Sequence, residues 1–137
     1  MNNLEKEFIP YEQALALKEL GFNEPCFGFY GGLNVLGDRY SWDTSGHNHN
    51  SDIGDSKNFH CTKLLYQQAF RWFREKYGWL QIIIGDGLNG NLNGYGYSIL
   101  EEGWINFYDS LDESVIYDTY EEAELACLIK LIEIVKK

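Results

Sequence analysis

The sequence has few basic residues and no long apolar run, and each scarcity excludes a class of protein. Lysine and arginine total 11 against 21 aspartates and glutamates, so the net charge is −10. A phosphate backbone or an anionic bilayer repels such a chain, and we expect neither nucleic-acid nor membrane partners. No apolar stretch approaches the roughly 20 residues that span a bilayer. The opening MNNLEKEFIPYEQ also lacks the basic and apolar regions of a signal peptide.

Cysteine is also scarce. Cys26, Cys61 and Cys127 are odd in number and widely spaced, without a CxxC pair. Such a set indicates a reducing compartment rather than a disulfide framework. Cys127 falls in an apolar helical segment, where a free thiol packs as a small hydrophobic side chain. We therefore expect a soluble, cytoplasmic protein.

The length and composition bound the architecture. The chain of 137 residues is 45% hydrophobic and 16% aromatic, which is enough for one core and too short for two comfortable domains. We therefore expect a single α+β domain over residues 1–137.

Three helices are predicted from apolar periodicity and from their end signals. YEQALALKEL consists of strong helix formers and is stopped by Gly21. LLYQQAFRWFREKY, residues 64–77, carries an apolar stripe at three-and-four spacing and is closed by Gly78. Thr119 and Glu122 have the spacing of a capping box at the start of the last helix.

The segments between the helices alternate as strands do. Phe27 and Phe29 in PCFGFY, and Tyr40 and Trp42 in RYSWD, predict a hairpin joined through GGLNVLG. WLQIII, YGYSIL and WINFY predict a meander. The resulting order is helix, two strands, helix, two or three strands, helix. We expect an antiparallel sheet of four to five strands covered by the three helices.

The helical segments carry a resemblance to a known group of proteins. FIPYEQALALKELGF, LYQQAFRWFREKYG and YEEAELACLIKLIEIVK resemble recurring blocks of short uncharacterised proteins from gut Bacteroidetes and their bacteriophages. These blocks contain all three predicted helices. The resemblance implies a small protein associated with phages or mobile elements, and it assigns no activity to any residue.

The stretch TSGHNHNSDIGDS raises the question of a metal site. His47 and His49 are two residues apart, so on an extended segment both imidazoles would point the same way and share a cation with nearby aspartates or with His60. The glycine, asparagine and serine around them are typical of an exposed loop without the second-shell support that a metal site needs. The loop interpretation is favoured, and no metal or cofactor is predicted.

Two glycine-rich patterns also mimic ligand motifs. GDGLNG, residues 85–90, matches GxGxxG after a predicted strand, but NLNGYGYSIL follows where a dinucleotide fold requires a helix. A hairpin connection with left-handed positions is therefore predicted. From Asn89 the spacing begins like a calcium loop, but Leu100 occupies the place of the closing glutamate.

The aromatic residues are the remaining functional signal, since no nucleophile–base set can be assembled. If helices cover only one face of the sheet, the alternating side chains of YSW, YGYS and WINFY cannot all be buried. Those left outside would form an aromatic surface suited to a partner or a stacked ligand. The candidates are Tyr40, Trp42, Tyr95, Tyr97 and Trp104.

We therefore expect a non-catalytic protein that binds a protein partner, favouring a host protein, through an acidic or aromatic surface, as a single chain or as a homo-oligomer. The main alternative is a small-molecule binder that sequesters a nucleotide signal. In it, an aromatic ring would stack on the base and Arg39, Arg71 or Arg74 would meet phosphate. The third hypothesis is a metal-dependent enzyme built on His47, His49 and His60.

Overall fold

The chain has the α+β architecture that the sequence predicts. A computed structural model describes residues 6–26, 28–30, 41–42, 61–88, 90–101, 105–110 and 115–136. This part of the chain contains three helices and two three-stranded antiparallel sheets. It divides into two compact units, Met1–Gln68 and Ala69–Lys137. The single domain over residues 1–137 stays a prediction.

The first unit begins with helix α1 (Tyr11–Glu19). Pro10 caps it in an extended conformation and accepts a hydrogen bond from the Ala14 amide at 3.0 Å. Gly21 ends it with a φ of 103°, a left-handed conformation that glycine adopts without strain. The predicted stop is confirmed.

The sheet of the first unit has the order β2-β1-β3, formed by β1 (Gly28–Tyr30), β2 (Ser41–Trp42) and β3 (Cys61–Lys63). β1 and β2 form the predicted antiparallel pair, with Gly28 opposite Trp42. β3 is an addition to the predicted order. Its three residues CTK are all buried and carry no alternation, so no periodic signal marks them as a strand.

Helix α2 (Tyr66–Tyr77) leads from the first unit into the second. Its apolar stripe is largely buried, whereas Arg71 and Arg74 are exposed. Gly78 follows with a φ of 77°, and its amide donates to the Arg74 carbonyl at 3.0 Å. The predicted end of this helix is also confirmed.

The second unit contains the meander β4 (Leu80–Leu88), β5 (Asn91–Glu101) and β6 (Ile105–Asp109), followed by helix α3 (Tyr120–Lys136). The Thr119 hydroxyl accepts from the Glu122 amide at 3.1 Å, as capping-box spacing predicts. Cys127 is fully buried on α3. The described strands form two sheets, one in each unit.

Candidate functional site

The second unit carries a long hairpin with a glycine-rich end. β4 and β5 pair from Leu80 opposite Leu100 to Leu88 opposite Asn91. Gly90 in the turn has a φ of 80°, which residues with a Cβ rarely adopt. The predicted hairpin is present: residues 85–88 form the end of β4, and strand β5, not a helix, follows the turn. It lacks the helix N-terminus that receives a pyrophosphate in dinucleotide folds.

On the side away from β4, strand β5 pairs first with β6 and then with two single residues, Ser110 and Tyr117. Tyr97 donates its amide to Ser110 Oγ at 2.8 Å, and the Ser110 amide donates to the Tyr97 carbonyl at 2.9 Å. Tyr95 and Tyr117 exchange two backbone hydrogen bonds of 2.8 Å each. These contacts hold Ser110 and Tyr117 along the edge of β5.

The pairing places three tyrosine rings on one face of the sheet. Tyr108 lies opposite Ile99 and Tyr117 lies opposite Tyr95, and directly opposed residues of an antiparallel pair share a face. Tyr97 stacks on Tyr108, with ring centroids 5.4 Å apart, and on Tyr117 at 6.2 Å. We call Tyr97, Tyr108 and Tyr117 the tyrosine cluster.

Two hydroxyls of the tyrosine cluster, those of Tyr97 and Tyr117, are held in the protonated form by a raised pKa. Burial raises the pKa of the Tyr97 hydroxyl above its usual range, and the nearby Tyr108 raises it further. Burial likewise raises the pKa of Tyr117 and of the neighbouring Cys127. A protonated phenol or thiol is a poor nucleophile and a poor general base. The cluster therefore offers aromatic contact rather than acid–base chemistry.

A lysine side chain contacts the tyrosine cluster at Tyr108. Nζ of Lys130, on α3, lies 4.6 Å from the Tyr108 ring centroid. An ammonium group at that distance is attracted by the negative face of the ring. The helix is thus joined to the sheet by a cation–π contact as well as by apolar packing.

The exposed part of the site lies where α3 begins. The Tyr120 ring meets Tyr95 edge-on, with centroids 5.8 Å apart, and Tyr120 is 42% exposed. Leu92 is 59% exposed. A Cβ on Gly85, the residue directly opposite Tyr95, would lie 3.1 Å from Leu92 Cδ1. Leu92 therefore lies next to Tyr95 on the same face.

Exposed carboxylates lie within two residues of Tyr120 along the chain. Asp118, Glu121 and Glu122 are exposed and adjoin Tyr120 in sequence. Glu121 and Glu122 lie in the first turn of α3, where negative charge also stabilises the helix dipole. We call Leu92, Tyr95 and Tyr120, together with these three carboxylates, the hairpin surface.

The first unit holds a buried ammonium group. Lys63 is fully buried, with Nζ 5.0 Å from the Phe8 ring centroid and 5.5 Å from that of Tyr30. The Tyr30 hydroxyl donates to the Ile9 carbonyl at 2.7 Å. Both rings lie within cation–π distance of this side chain.

Two thiols of the first unit are also buried. Burial raises the pKa of Cys26 to about 11 and that of Cys61 to about 12. Cys26 Sγ lies 3.8 Å from Gln68 Oε1, within hydrogen-bonding distance for sulfur. Because the reactive form of cysteine is the thiolate, both thiols are unreactive near neutral pH.

The structure brings together only some of the residues proposed from the sequence. Tyr95 is half-buried in the hairpin surface, whereas Tyr97 is 3% exposed and belongs to the interior of the cluster. Trp42 lies in β2 of the first unit. Arg71 and Arg74 are exposed on α2, a different element from those that form the tyrosine cluster.

The remaining predicted residues lie outside the described part of the chain. The metal-site hypothesis and the rest of the nucleotide hypothesis therefore stay predictions. The residues concerned are Arg39, Tyr40, His47, His49, His60 and Trp104.

Several members of the site were not proposed from the sequence. Tyr117 and Tyr120 lie in a segment that has no strand alternation, and their contacts with β5 are distant in sequence. Leu92 is surrounded by asparagine and glycine, a composition that indicates a turn.

Within the described ranges, no three histidine, cysteine, aspartate or glutamate side chains are grouped so that they could hold a metal ion. None of the described helices is long and apolar enough to cross a membrane. No protein-family model, curated protein or solved structure matches the chain.

Proposed function

We propose that this chain is a non-catalytic cytoplasmic protein that binds a protein partner through the hairpin surface. The observation that carries the proposal is the edge-on contact of the half-buried Tyr95 with the exposed Tyr120, on a face that also carries the exposed Leu92. Three exposed carboxylates lie within two residues of Tyr120 along the chain. Aromatic and large apolar side chains at the centre of an interface, with a polar rim, supply most of the energy of many protein complexes. The resemblance to proteins of Bacteroidetes phages makes a host protein the favoured partner.

The charge of the surface supports a partner of the opposite sign. Asp118, Glu121 and Glu122 belong to a chain whose net charge is −10, so the long-range field attracts basic proteins. Rim charges of this kind mainly increase the association rate and its dependence on salt. The apolar group then supplies the desolvated contact that slows dissociation.

The state of the buried groups supports binding rather than catalysis. The thiols of Cys26 and Cys61 and the phenol of Tyr97 are held in their protonated forms by burial. None of them is poised to act as a nucleophile near neutral pH. The exposed groups of the hairpin surface are apolar, aromatic and carboxylate side chains, which suit contact with another protein.

The proposal is tested by photocrosslinking from the site itself. A photoreactive phenylalanine analogue replaces Tyr120, and in the matched control it replaces Ile129, which is 40% exposed on the same helix. Both proteins are irradiated in a lysate of a Bacteroidetes bacterium, and crosslinked species are identified by mass spectrometry. A host protein captured at position 120 and absent at position 129 is expected.

A charge-reversal variant then checks the role of the carboxylates. Glu121→Lys combined with Glu122→Lys should weaken the captured complex at low salt and reduce its salt dependence, because two attractive rim charges are replaced by repulsive ones. Equal crosslinking at positions 120 and 129, or a complex unaffected by charge reversal and by Leu92→Ala, would contradict the proposal.

A further inference from the structure

The outer edge of β4 is unpaired over the described residues. In the order β4-β5-β6, β4 lies at the end of the sheet. Over the described residues, every strand partner of β4 belongs to β5, and none of its backbone groups bonds elsewhere. An edge strand of this kind presents a row of donors and acceptors that another strand can use.

The hydrogen bonds of β5 show which groups of β4 point outward. Tyr95 and Tyr97 direct their amides and carbonyls away from β4, towards Tyr117 and Ser110. They are paired with Gly85 and Ile83. In an antiparallel ladder, two residues opposed in such a pair both point their backbone groups away from each other.

The amides and carbonyls of Ile83 and Gly85 therefore point away from the sheet. By the alternation of the strand, those of Gln81 do so as well. The outward groups are evenly spaced along the apolar half of the strand, so a second strand can bond to all of them.

The side chains along this edge are apolar and hardly charged. Ile82 is 41% exposed, and Ile83 and Ile84 are half-buried. Gly96 lies opposite Ile84, so β5 offers no side chain to cover it. β4 contains one charged residue, Asp86. It also lacks the lysine, proline or early bulge that commonly protects an edge strand.

We propose that two copies of the chain associate through antiparallel pairing of β4 with β4, about a two-fold axis at Ile83. The occupant is a second copy because the strand is self-complementary about that residue. In this register Ile82 of one copy lies opposite Ile84 of the second copy, and the reverse contact follows by symmetry. The edge also carries little of the net charge of −10 that keeps copies apart elsewhere.

The geometry of the pair follows from the direction of the backbone groups. Ile83 bonds to its symmetry mate, and Gln81 bonds to Gly85 of the second copy, which gives about six backbone hydrogen bonds. Ile82 and Ile84 form non-hydrogen-bonded pairs, in which side chains are closest. The two sheets become one continuous sheet of six strands.

Sedimentation velocity over a range of protein concentrations tests the association. The wild-type chain should form a dimer with increasing concentration. Ile82→Lys should raise the dissociation constant by at least about tenfold, because each dimer then buries two ammonium groups against isoleucine. Ile129→Lys is the matched control, since Ile129 is 40% exposed on α3, and it should leave the dimer intact.

A cysteine pair tests the register independently of stability. Residues opposed in a non-hydrogen-bonded pair have Cα atoms about 4.5 Å apart, which suits a disulfide. A mixture of the Ile82→Cys and Ile84→Cys chains should form a mixed disulfide faster than either chain alone forms its own. The buried native thiols compete little because of their raised pKa.

Three results would overturn the proposal: a wild-type chain that is monomeric at every concentration up to about 1 mM, a dimer that survives Ile82→Lys, or mixed chains that crosslink no faster than single ones. These readouts require no protein other than the chain itself. Failure here leaves the hairpin surface untested, and a failed capture at Tyr120 leaves the β4 edge untested.

Discussion

Tyr97 and Ser110 exchange two hydrogen bonds, one of which uses the serine side chain in place of a strand partner. The Tyr97 amide donates to Ser110 Oγ at 2.8 Å, and the Ser110 amide donates to the Tyr97 carbonyl at 2.9 Å. Ser110 is fully buried and directly follows β6. Its hydroxyl therefore extends the ladder of β5 past the end of its neighbouring strand.

Removal of that hydroxyl should destabilise the second unit. Ser110→Ala leaves the buried Tyr97 amide without its acceptor, and we expect a loss of about 1–3 kcal/mol in the free energy of unfolding. Urea denaturation followed by circular dichroism measures the change. Ser98→Ala, at another buried serine of this sheet, is the control and should cost less. Equal losses in the two variants would show that the Oγ contact contributes little.

Gly94 and Gly90 should respond differently to alanine. A Cβ on Gly94 would lie 2.5 Å from Ile116 Cγ2 and 2.7 Å from the Tyr117 carbonyl oxygen, whereas one on Gly90 meets no atom within 4 Å. Gly94→Ala should displace Tyr117 from β5 and cost about 2 kcal/mol or more. Gly90→Ala incurs only the strain of a φ of 80°, about 1 kcal/mol.

Hydrogen exchange distinguishes the two glycine effects. The Tyr95 and Tyr117 amides, which bond to each other's carbonyls, should lose protection in Gly94→Ala and keep most of it in Gly90→Ala. Gly90→Asn is a further control, since asparagine tolerates a left-handed backbone. A Gly94→Ala protein with unchanged protection at both amides would contradict the close contact.

The cap of α3 should be sensitive to loss of a single oxygen. Thr119→Ala removes the acceptor of the Glu122 amide, and we expect a decrease of about 1 kcal/mol in the free energy of unfolding. Thr119→Ser and Thr119→Asp retain an acceptor and should be nearly neutral. Thermal or urea denaturation compares the three variants. An alanine variant as stable as the serine variant would contradict the prediction.

Alkaline pH should destabilise the fold through its buried thiols and phenols. In the unfolded chain the thiols ionise near pH 9, whereas in the folded chain the pKa of Cys26 is about 11 and that of Cys61 is about 12. Above pH 9 the folded state binds more protons than the unfolded state. Stability is therefore fully present below pH 9 and is lost as the pH rises towards 12, by up to about 1.4 kcal/mol per pH unit for each group.

The raised pKa of Tyr97 and Tyr117 adds to this loss above their ordinary pKa of 10.0. Free energies of unfolding in urea, measured from pH 7 to 11, check the slope. Cys26→Ala should remove the contribution of that thiol, so that stability declines less steeply above pH 9. The decline caused by the two tyrosines should be unchanged. A free energy of unfolding that stays constant from pH 8 to 11 would show that these groups are not desolvated.

Helix ends were predictable from the sequence because their signals are local. Gly21 and Gly78 take the left-handed conformation that ends a helix, and Thr119 accepts the hydrogen bond expected of an N-cap. Alternation also located the meander from residue 80 to residue 109. In each case the deciding contacts lie within a few residues along the chain.

The candidate site was predictable only in part. Alternation singled out Tyr95 and Tyr97, but the sequence does not show which face of β5 is covered. Tyr97 is buried because Tyr108 and Tyr117 stack on it, and Tyr95 stays near the surface beside Tyr120. Leu92 and Tyr117 were not predicted because neither lies in a segment with alternating or helical apolar periodicity.

The sequence by itself determined the α+β class, the helix limits, the hairpins and the acidic surface, because periodicity, caps and charge depend on residue type and near neighbours. Only the tertiary structure decided that Cys61–Lys63 forms a strand, that the strands form two sheets, and that Tyr117 pairs with Tyr95. It also left the edge of β4 open over the described residues. These features depend on the pairing of distant segments, where the gain from burial and hydrogen bonding outweighs weak local preference.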